Sequence, residues 1–284
     1  MEHPQQPTHT DRPGTDGALV GGTYAAIRDG ALILPLRGDE PAPALTQLVH
    51  AQMRALVLNP AFPCLGARAA FNQGMYRFGM YAALASDDAT TVLRDDLLAF
   101  VAEQPAMGSA FTTFIASFDG PLPRDEADFE RLLWEQLSRL AACDAAAWDT
   151  AVSSDPDDPR FSFSFGGRAF FLVGLHPGSS RWARRFAWPT IVFNAHHQFE
   201  HLRATGRYVR LQAAIRERDV ALQGSPNPNL AAFGTASEAR QYSGRAVEPD
   251  WRCPFHAARL DVPPASGAGL GPTEATTGRE SPCV

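Results

Sequence analysis

Phe161-Ser162-Phe163-Ser164-Phe165-Gly166-Gly167-Arg168-Ala169-Phe170-Phe171-Leu172-Val173-Gly174-Leu175 opens the second half of a 284-residue chain. Phe161 to Phe165 and Ala169 to Leu175 are strand-like runs, and the Gly166-Gly167 pair between them is the signal of a hairpin turn. Working outward, Thr190 to Asn194 reads as a short apolar strand after Pro189. Phe111 to Phe118 is β-rich and ends at the turn pair Asp119-Gly120. The remaining periodic segments are helical. Ala44 to Leu58 carries Leu45, Leu48, Val49, Gln52 and Leu56 at helix-like spacing and is stopped by Pro60. Ala67 to Leu84 places Phe71, Met75 and Phe78 on one side of a predicted helix, which Gly74 and Gly79 weaken. A helix capped by Asp87 or Asp88 runs through Val92, Leu93, Leu97, Phe100 and Val101. Phe129, Leu132, Leu133, Leu137 and Leu140 form an amphipathic stripe, with Asp125 and Glu126 at its start and Arg139 near its end, as the helix dipole favours. Arg207 to Gln223 is the last predicted helix, with Tyr208, Leu211 and Ile215 on its inner face. The expected class is α+β: a mainly helical single domain around a small, mostly antiparallel sheet. That domain is placed at residues 21–260, between disordered tails at 1–20 and 261–284, the second rich in Pro, Gly and Thr.

Composition narrows the function classes. Hydrophobic residues are 45%, aromatics 10% and charged residues 20%, an ordinary globular mixture. No apolar run reaches the roughly 18 residues of a spanning helix, so no membrane partner is expected. Met1 to Gly17 is polar, contains Pro4, Pro7 and Pro13, and lacks the apolar core of a secretory signal. Cys64, Cys143, Cys253 and Cys283 lie far apart and form neither a disulfide framework nor a CxxC metal site. A cytoplasmic location with free thiols is therefore expected. The net charge of −6 argues against nucleic acid as a partner. All 25 basic residues are arginine, and ten of them fall between Arg160 and Arg218 against two acids, Glu200 and Glu217. His176, His196, His197 and His201 share that segment, which suggests an anionic ligand there.

Three segments carry the candidate chemistry. The first runs from Gly174 through His176-Pro177-Gly178-Ser179-Ser180-Arg181-Trp182-Ala183-Arg184-Arg185-Phe186. A strand ending at Leu175 and a helix starting near Ser179 would make an anion site of backbone N–H groups, hydroxyls and arginines. An ordinary capped helix with a solvated arginine face would use the same residues. The second is Phe193-Asn194-Ala195-His196-His197-Gln198-Phe199-Glu200-His201-Leu202-Arg203, where histidines at a strand end are credible metal ligands and Asn194 or Glu200 could orient an imidazole. It is not HExxH and has no zinc spacing, and a solvated or hydrogen-bonded histidine would look the same. The third begins at Leu222-Gln223-Gly224-Ser225-Pro226-Asn227-Pro228-Asn229 and continues through Ser237-Glu238-Ala239-Arg240-Gln241-Tyr242-Ser243-Gly244-Arg245 to Cys253-Pro254-Phe255. It reads either as a pocket wall or as a long surface loop held by its own side chains. There Glu238 could pair a cationic substrate and Arg240 or Arg245 a carboxylate, while Cys253 is either a thiolate ligand or a buried thiol. A GxGxxG turn, a P-loop, a GxSxG elbow and the kinase set are all absent from the sequence.

These segments resemble the YqcI/YcgG family. The resemblance rests on His176-Pro177, Ser179-Ser180-Arg181, Ala183-Arg184-Arg185, Phe193-Asn194, His196, Gln198-Phe199-Glu200 and Leu202-Arg203. It continues through Gly224-Ser225, Asn227-Pro228, the 237–245 run and Cys253-Pro254-Phe255, with Pro63-Cys64-x-Gly66-Ala67 as an N-terminal mark. It implies heme-dependent N-hydroxylation of a guanidine, such as L-arginine to Nω-hydroxy-L-arginine, in secondary-metabolite pathways like those to D-cycloserine and guanitoxin. The implied cofactor is heme b, whose iron needs an axial ligand and whose propionates need partners. His196 is the preferred metal ligand and His176 the alternative, with Cys253 also open. Ser179, Ser180, Arg181, Arg184 and Arg185 are the candidate propionate partners, and Trp182, Phe186, Trp188 and Phe199 the candidate ring wall. Glu238 and Glu200 are the candidate catalytic acids, orienting the guanidinium and helping to remove its proton. Asn227, Glu238, Arg240 and Tyr242 are the candidate substrate contacts. The implied partners are a small guanidine, O2 or H2O2, and an electron donor where the oxidant requires one. The same chemistry on an enduracididine-like guanidine, a non-catalytic heme protein, or a heme-free anion-binding module are the alternatives.

Overall fold

Turn and cap chemistry sets most element boundaries in the computed structural model, which describes residues 23–108, 111–230 and 234–255. Both predicted tails lie outside these residues. The chain opens with β1 (Ala26–Arg28), β2 (Ala31–Leu34) and β3 (Glu40–Pro41), a small antiparallel sheet that the sequence reading missed. Next comes α1 (Ala44–Leu58), with the predicted ends but a different inner face. Thr46, Val49, His50, Met53 and Val57 are buried, while Leu45 and Leu48 are exposed. His50 is tolerated inside because its Nε2 lies 2.7 Å from the Tyr76 hydroxyl.

The helix expected over 67–84 divides in two. The helix α2 (Leu65–Gln73) ends at Gly74, whose φ of 67° is the left-handed cap that glycine adopts without strain. From there β4 (Tyr76–Ala83) is extended. Tyr76, Phe78, Met80 and Tyr81 are all buried, so the strand shows little alternation from which to read its period. Ser86, one residue ahead of the expected cap, accepts a hydrogen bond from Ala89 N at 3.2 Å and starts α3 (Asp87–Glu103). After β5 (Thr113–Gly120), Asp125 caps α4 (Glu126–Ala142) through Asp128 N at 2.8 Å. The predicted stripe of α4 is buried in full. The hairpin of β6 (Phe163–Phe165) and β7 (Arg168–Leu175) forms as expected, with φ of 58° at Gly166 and 71° at Gly167. Instead of a helix near Ser179, a single 3-10 turn at Trp182–Arg184 leads to β8 (Thr190–Ala195). The chain then forms α5 (His196–Ala204), α6 (Tyr208–Gln223) and the short α7 (Ala239–Tyr242).

The main sheet has the order β4-β5-β8-β7-β6; β4 and β5 pair in parallel and the other three pairs are antiparallel. The α+β class is therefore the observed one. Phe114, Phe118, Phe170, Leu172, Ile191 and Phe193 face α3 and α4 in one core. Ile115, Val173, Leu175 and Val192 face the other side, where α1 and α2 cover the β4 half. Over β7 and β8 the cover is α5 and α6. Among the described residues, no helix is long and apolar enough to cross a membrane.

Candidate functional site

The cover over β7 and β8 is not closed. Asp219 is the one residue of α6 that is buried, so this helix stands off the sheet. Beneath it lies a cavity of about 210 Å³. Its floor is Phe171 and Val173 of β7 with Asn194 of β8, and its roof is Tyr208, Leu211, Gln212, Ile215 and Arg216 of α6. Phe199 and Arg203 of α5 and Leu230 close the sides, and Cys64, at the N-cap of α2, joins the wall. Glu238 and Gln241 are its remaining lining residues. A smaller space of about 60 Å³ adjoins it, sharing Cys64, Asn194, Phe199, Leu211 and Ile215.

Glu238 is the acid of this cavity. It is 5% exposed, and burial pushes its carboxyl up to about 7, against the opposing pull of the Ser162 hydrogen bond. Ser162 Oγ lies 2.9 Å from Glu238 Oε2 and 3.0 Å from Phe170 O. One hydroxyl proton cannot serve both acceptors. With Glu238 ionised, Ser162 donates to the carboxylate, and the Tyr242 hydroxyl, 3.3 Å from Phe170 O, keeps that carbonyl partnered. With Glu238 protonated, the acid donates to Ser162, which turns to Phe170 O. Both protonation states are thus satisfied by one hydroxyl rotation. His196 Nε2 lies 3.9 Å from Glu238 Oε1, and burial lowers the His196 pKa, which keeps the ring neutral.

The other expected site residues are placed differently. His176 and His196 follow the carboxyl ends of antiparallel neighbours, where Leu175 pairs with Thr190 and Phe170 with Ala195. The six paired positions between them put the two histidines at opposite ends of the β7–β8 ladder, about 20 Å apart at roughly 3.3 Å per residue, so they cannot share one iron. His176 is fully buried on the α4 side, its ring stacked on Phe129 at 4.4 Å. Neither histidine is among the residues lining the cavity. The acceptors proposed to orient His196 are engaged elsewhere, Asn194 donating to Phe171 O and Glu200 paired with Arg203 at 3.0 Å. Glu200 is exposed, and Glu238 is the carboxylate near the ring.

The expected propionate cradle is built into the fold instead. Arg181 pairs with Asp219 and donates to Ser225 O and Pro226 O. Arg184 is half-buried and donates to Gly174 O and Tyr242 O at 3.3 and 3.0 Å, and desolvation lowers its pKa to about 10. Arg185 donates to Ser179 O and lies over the Trp182 ring at 4.0 Å. Both the amide and the hydroxyl of Ser180 bond Glu126. Each of these residues meets at least one protein acceptor, while the buried Nε of Arg181 has none among the described residues. Of the expected substrate contacts, Glu238 lines the main cavity, and Asn227 lines a neighbouring space with Arg216 and Leu230. Arg240 donates to Trp251 O, and Tyr242 is a core residue bonded to Phe163 N. Cys253 is buried in the α4-side core, where burial raises its thiol to about 12. Of the expected ring wall, Phe199 reaches the cavity. The inner face read for the last helix, Tyr208, Leu211 and Ile215, is the cavity roof, whereas Cys64 escaped the reading of the residues, although it stands in the Pro63-Cys64 mark.

A three-layer α+β domain with an acid-bearing, otherwise mostly apolar cavity under α6 defines the class. Residues 53–256 match the YqcI/YcgG family, to which the chain belongs. The chain is 27% identical over 209 residues to YcgG of Bacillus subtilis (strain 168), covering 68% of this chain and 80% of that protein. It is 31% identical over 134 residues to YqcI of the same organism, covering 45% and 53%. A putative N(omega)-hydroxy-L-arginine synthase, DcsA of Streptomyces lavendulae, is 26% identical over 214 residues, covering 69% and 78%. No solved structure matches the chain.

Proposed function

We propose that this chain N-hydroxylates a guanidine compound, with L-arginine as the first candidate, in a heme-dependent reaction. The observation that carries this reading is Glu238: a buried carboxyl on the wall of a mostly apolar cavity, able to hold or release a proton near neutral pH. A guanidinium is charged at any physiological pH, and taking it into such a cavity requires a counter-charge. The name of the Streptomyces relative supports arginine as the compound.

The cavity wall suits a heme ring in kind. Phe171, Val173, Phe199, Leu211 and Ile215 offer apolar contact, and Cys64 is a sulfur donor among them. Arg203 and Arg216, also on the wall, are the cations that could face propionates. When bound, heme would supply the activation of O2 or peroxide. The protein's part is to receive and deprotonate the guanidine. Glu238 in its ionised form pairs with the guanidinium and orients one terminal nitrogen. As the new N–O bond forms and an N–H bond is lost, Glu238 accepts the proton and Ser162 rotates to Phe170 O. The roof of α6 keeps water from the reacting nitrogen.

The test is incubation of the heme-loaded protein with L-arginine and an oxidant, followed by mass spectrometry for a product one oxygen heavier. Nω-hydroxy-L-arginine is expected, and Glu238→Gln should lower kcat/KM by about 100-fold or more. If no guanidine tried yields an oxygenated product, the reading is wrong. An unchanged rate for the variant at saturating arginine would remove Glu238 from the mechanism.

A further inference from the structure

The main cavity carries charge of both signs. Glu238 is the acid on its wall, and Arg216 lines it from the roof, one turn beyond Gln212. Arg216 also lines an adjoining space of about 220 Å³, together with Asn227 and Leu230. Leu230 borders both spaces as well, so they are joined along Arg216 and Leu230. The neighbouring arginines are committed within the protein: Arg203 to Glu200, Arg181 to Asp219 and Arg218 to Phe62 O. Arg216 is exposed, and its guanidinium makes no hydrogen bond or ion pair among the described residues. Asp219, the acid that lines the side space, is already matched by Arg181. Asn227 accepts from Asn229 N through its Oδ1 at 3.0 Å, which leaves its side-chain amide N–H groups as donors there. The side space therefore presents a guanidinium and an amide donor, with its own acid neutralised. That donor set suits a carboxylate.

We propose that Arg216 binds the carboxylate of the substrate, so that the cavity selects a guanidine compound by a second, oppositely charged end. The proposal rests on the guanidine reading above and deepens it: the substrate class is a guanidino acid, and a guanidino amine such as agmatine is rejected. A guanidinium on Glu238 and a carboxylate on Arg216 give the acid two charge-assisted contacts. Agmatine leaves Arg216 without an anion and brings an ammonium towards it, a like-charge approach that discriminates against the amine. Holding the molecule at both ends also fixes which terminal nitrogen faces the reacting centre. Of the two cations on the wall, this gives Arg216 to the substrate and leaves Arg203 for a propionate.

The experiment is a binding comparison by isothermal titration calorimetry on the full-length, heme-loaded protein, with product masses measured in parallel. The ligands are L-arginine, 5-guanidinopentanoate, which keeps the carboxylate and lacks the α-amino group, and agmatine, which keeps the amine and lacks the carboxylate. Wild type should bind both acids, and agmatine about 30-fold more weakly. Arg216→Gln should lose about 30-fold in affinity for both acids and nothing for agmatine, so that the preference disappears. Arg216→Lys, a cation without the planar fork, should recover part of it. Arg210→Gln removes an exposed arginine of the same helix that lines neither space, and it should bind as wild type does, which separates a contact from the general positive field. The Tm of Arg216→Gln should match that of wild type, because the side chain ties nothing within the fold. Equal affinity of wild type for L-arginine and agmatine, or an Arg216→Gln variant that keeps the preference, overturns the assignment, and an oxygenated product would then leave N-hydroxylation standing. An Arg216-dependent preference without any oxygenated product keeps the assignment and removes the reaction. Binding of none of the three overturns both.

Discussion

Replacing Glu238 by Gln should change how stability depends on pH, before any substrate is added. The Glu238 carboxyl is raised from 4.5 to about 7 by burial. The difference is about 2.5 pH units, and each unit corresponds to 1.36 kcal/mol, so the ionised form is disfavoured in the fold by about 3 kcal/mol. The sign follows from proton counting. Between pH 4.5 and 7 the folded protein holds this proton and the unfolded chain does not, so stability falls with rising pH. The contribution is fully present below the unfolded value and lost as pH rises through about 7. Gln keeps the shape and a donor for Ser162 but has no proton to lose. Urea unfolding of both proteins at intervals from pH 4 to 8.5 isolates the effect, because other titrating groups are common to the pair. The stability of the variant relative to wild type should improve across that window by up to about 3 kcal/mol. Curves that stay parallel within about 0.5 kcal/mol would refute the argument that Glu238 enters the fold protonated. Saturating L-arginine gives a second readout: if guanidinium pairs with Glu238, binding below pH 7 releases a proton from the wild type and none from the variant.

Two further outcomes follow from the packing. Asp219→Asn leaves Arg181 without its buried counter-charge, and urea unfolding should show a loss of about 3 kcal/mol; a loss under 1 kcal/mol would mean that the carbonyls of Ser225 and Pro226 suffice. Gly174→Ala would set a Cβ 2.5 Å from the Phe129 ring and 2.9 Å from Tyr242 O, so a loss of about 2 kcal/mol is expected in thermal unfolding, and an unchanged Tm would show that α4 yields freely there.

The parts of the fold legible in the sequence are those set by neighbouring residues. The stripe of α4 and the hairpin at Gly166-Gly167 are local signals, and both stand as read. The strand β4 was hidden because it is buried on both faces and pairs in parallel with β5 across the intervening α3. The face of α1 was misjudged because burial there is decided by a distant partner, Tyr76, which makes His50 an inner residue and leaves Leu48 outside. The candidate site shows the same division. The Ser-Arg run at 179–185 stands out in the sequence, but a sequence does not show whether an arginine meets a ligand or a carbonyl of its own chain. Arg181 and Arg184 meet carbonyls. Cys64 gave a weak signal for the opposite reason: a lone cysteine is most often a small buried hydrophobe, and only the cavity beside it distinguishes this one.

The helix α6 resembles a beam carried on its two ends. Arg203 lies 4.8 Å from the centre of the Tyr208 ring at the first turn, and at the last turns Asp219 is tied to Arg181 and Gln223 to the backbone of Ser180 and Trp182. Between those supports little of the span sinks into the core. Polar ties at its two ends, joined near the second by Arg218 donating to Phe62 O, hold α6 over the cavity in place of burial along its length.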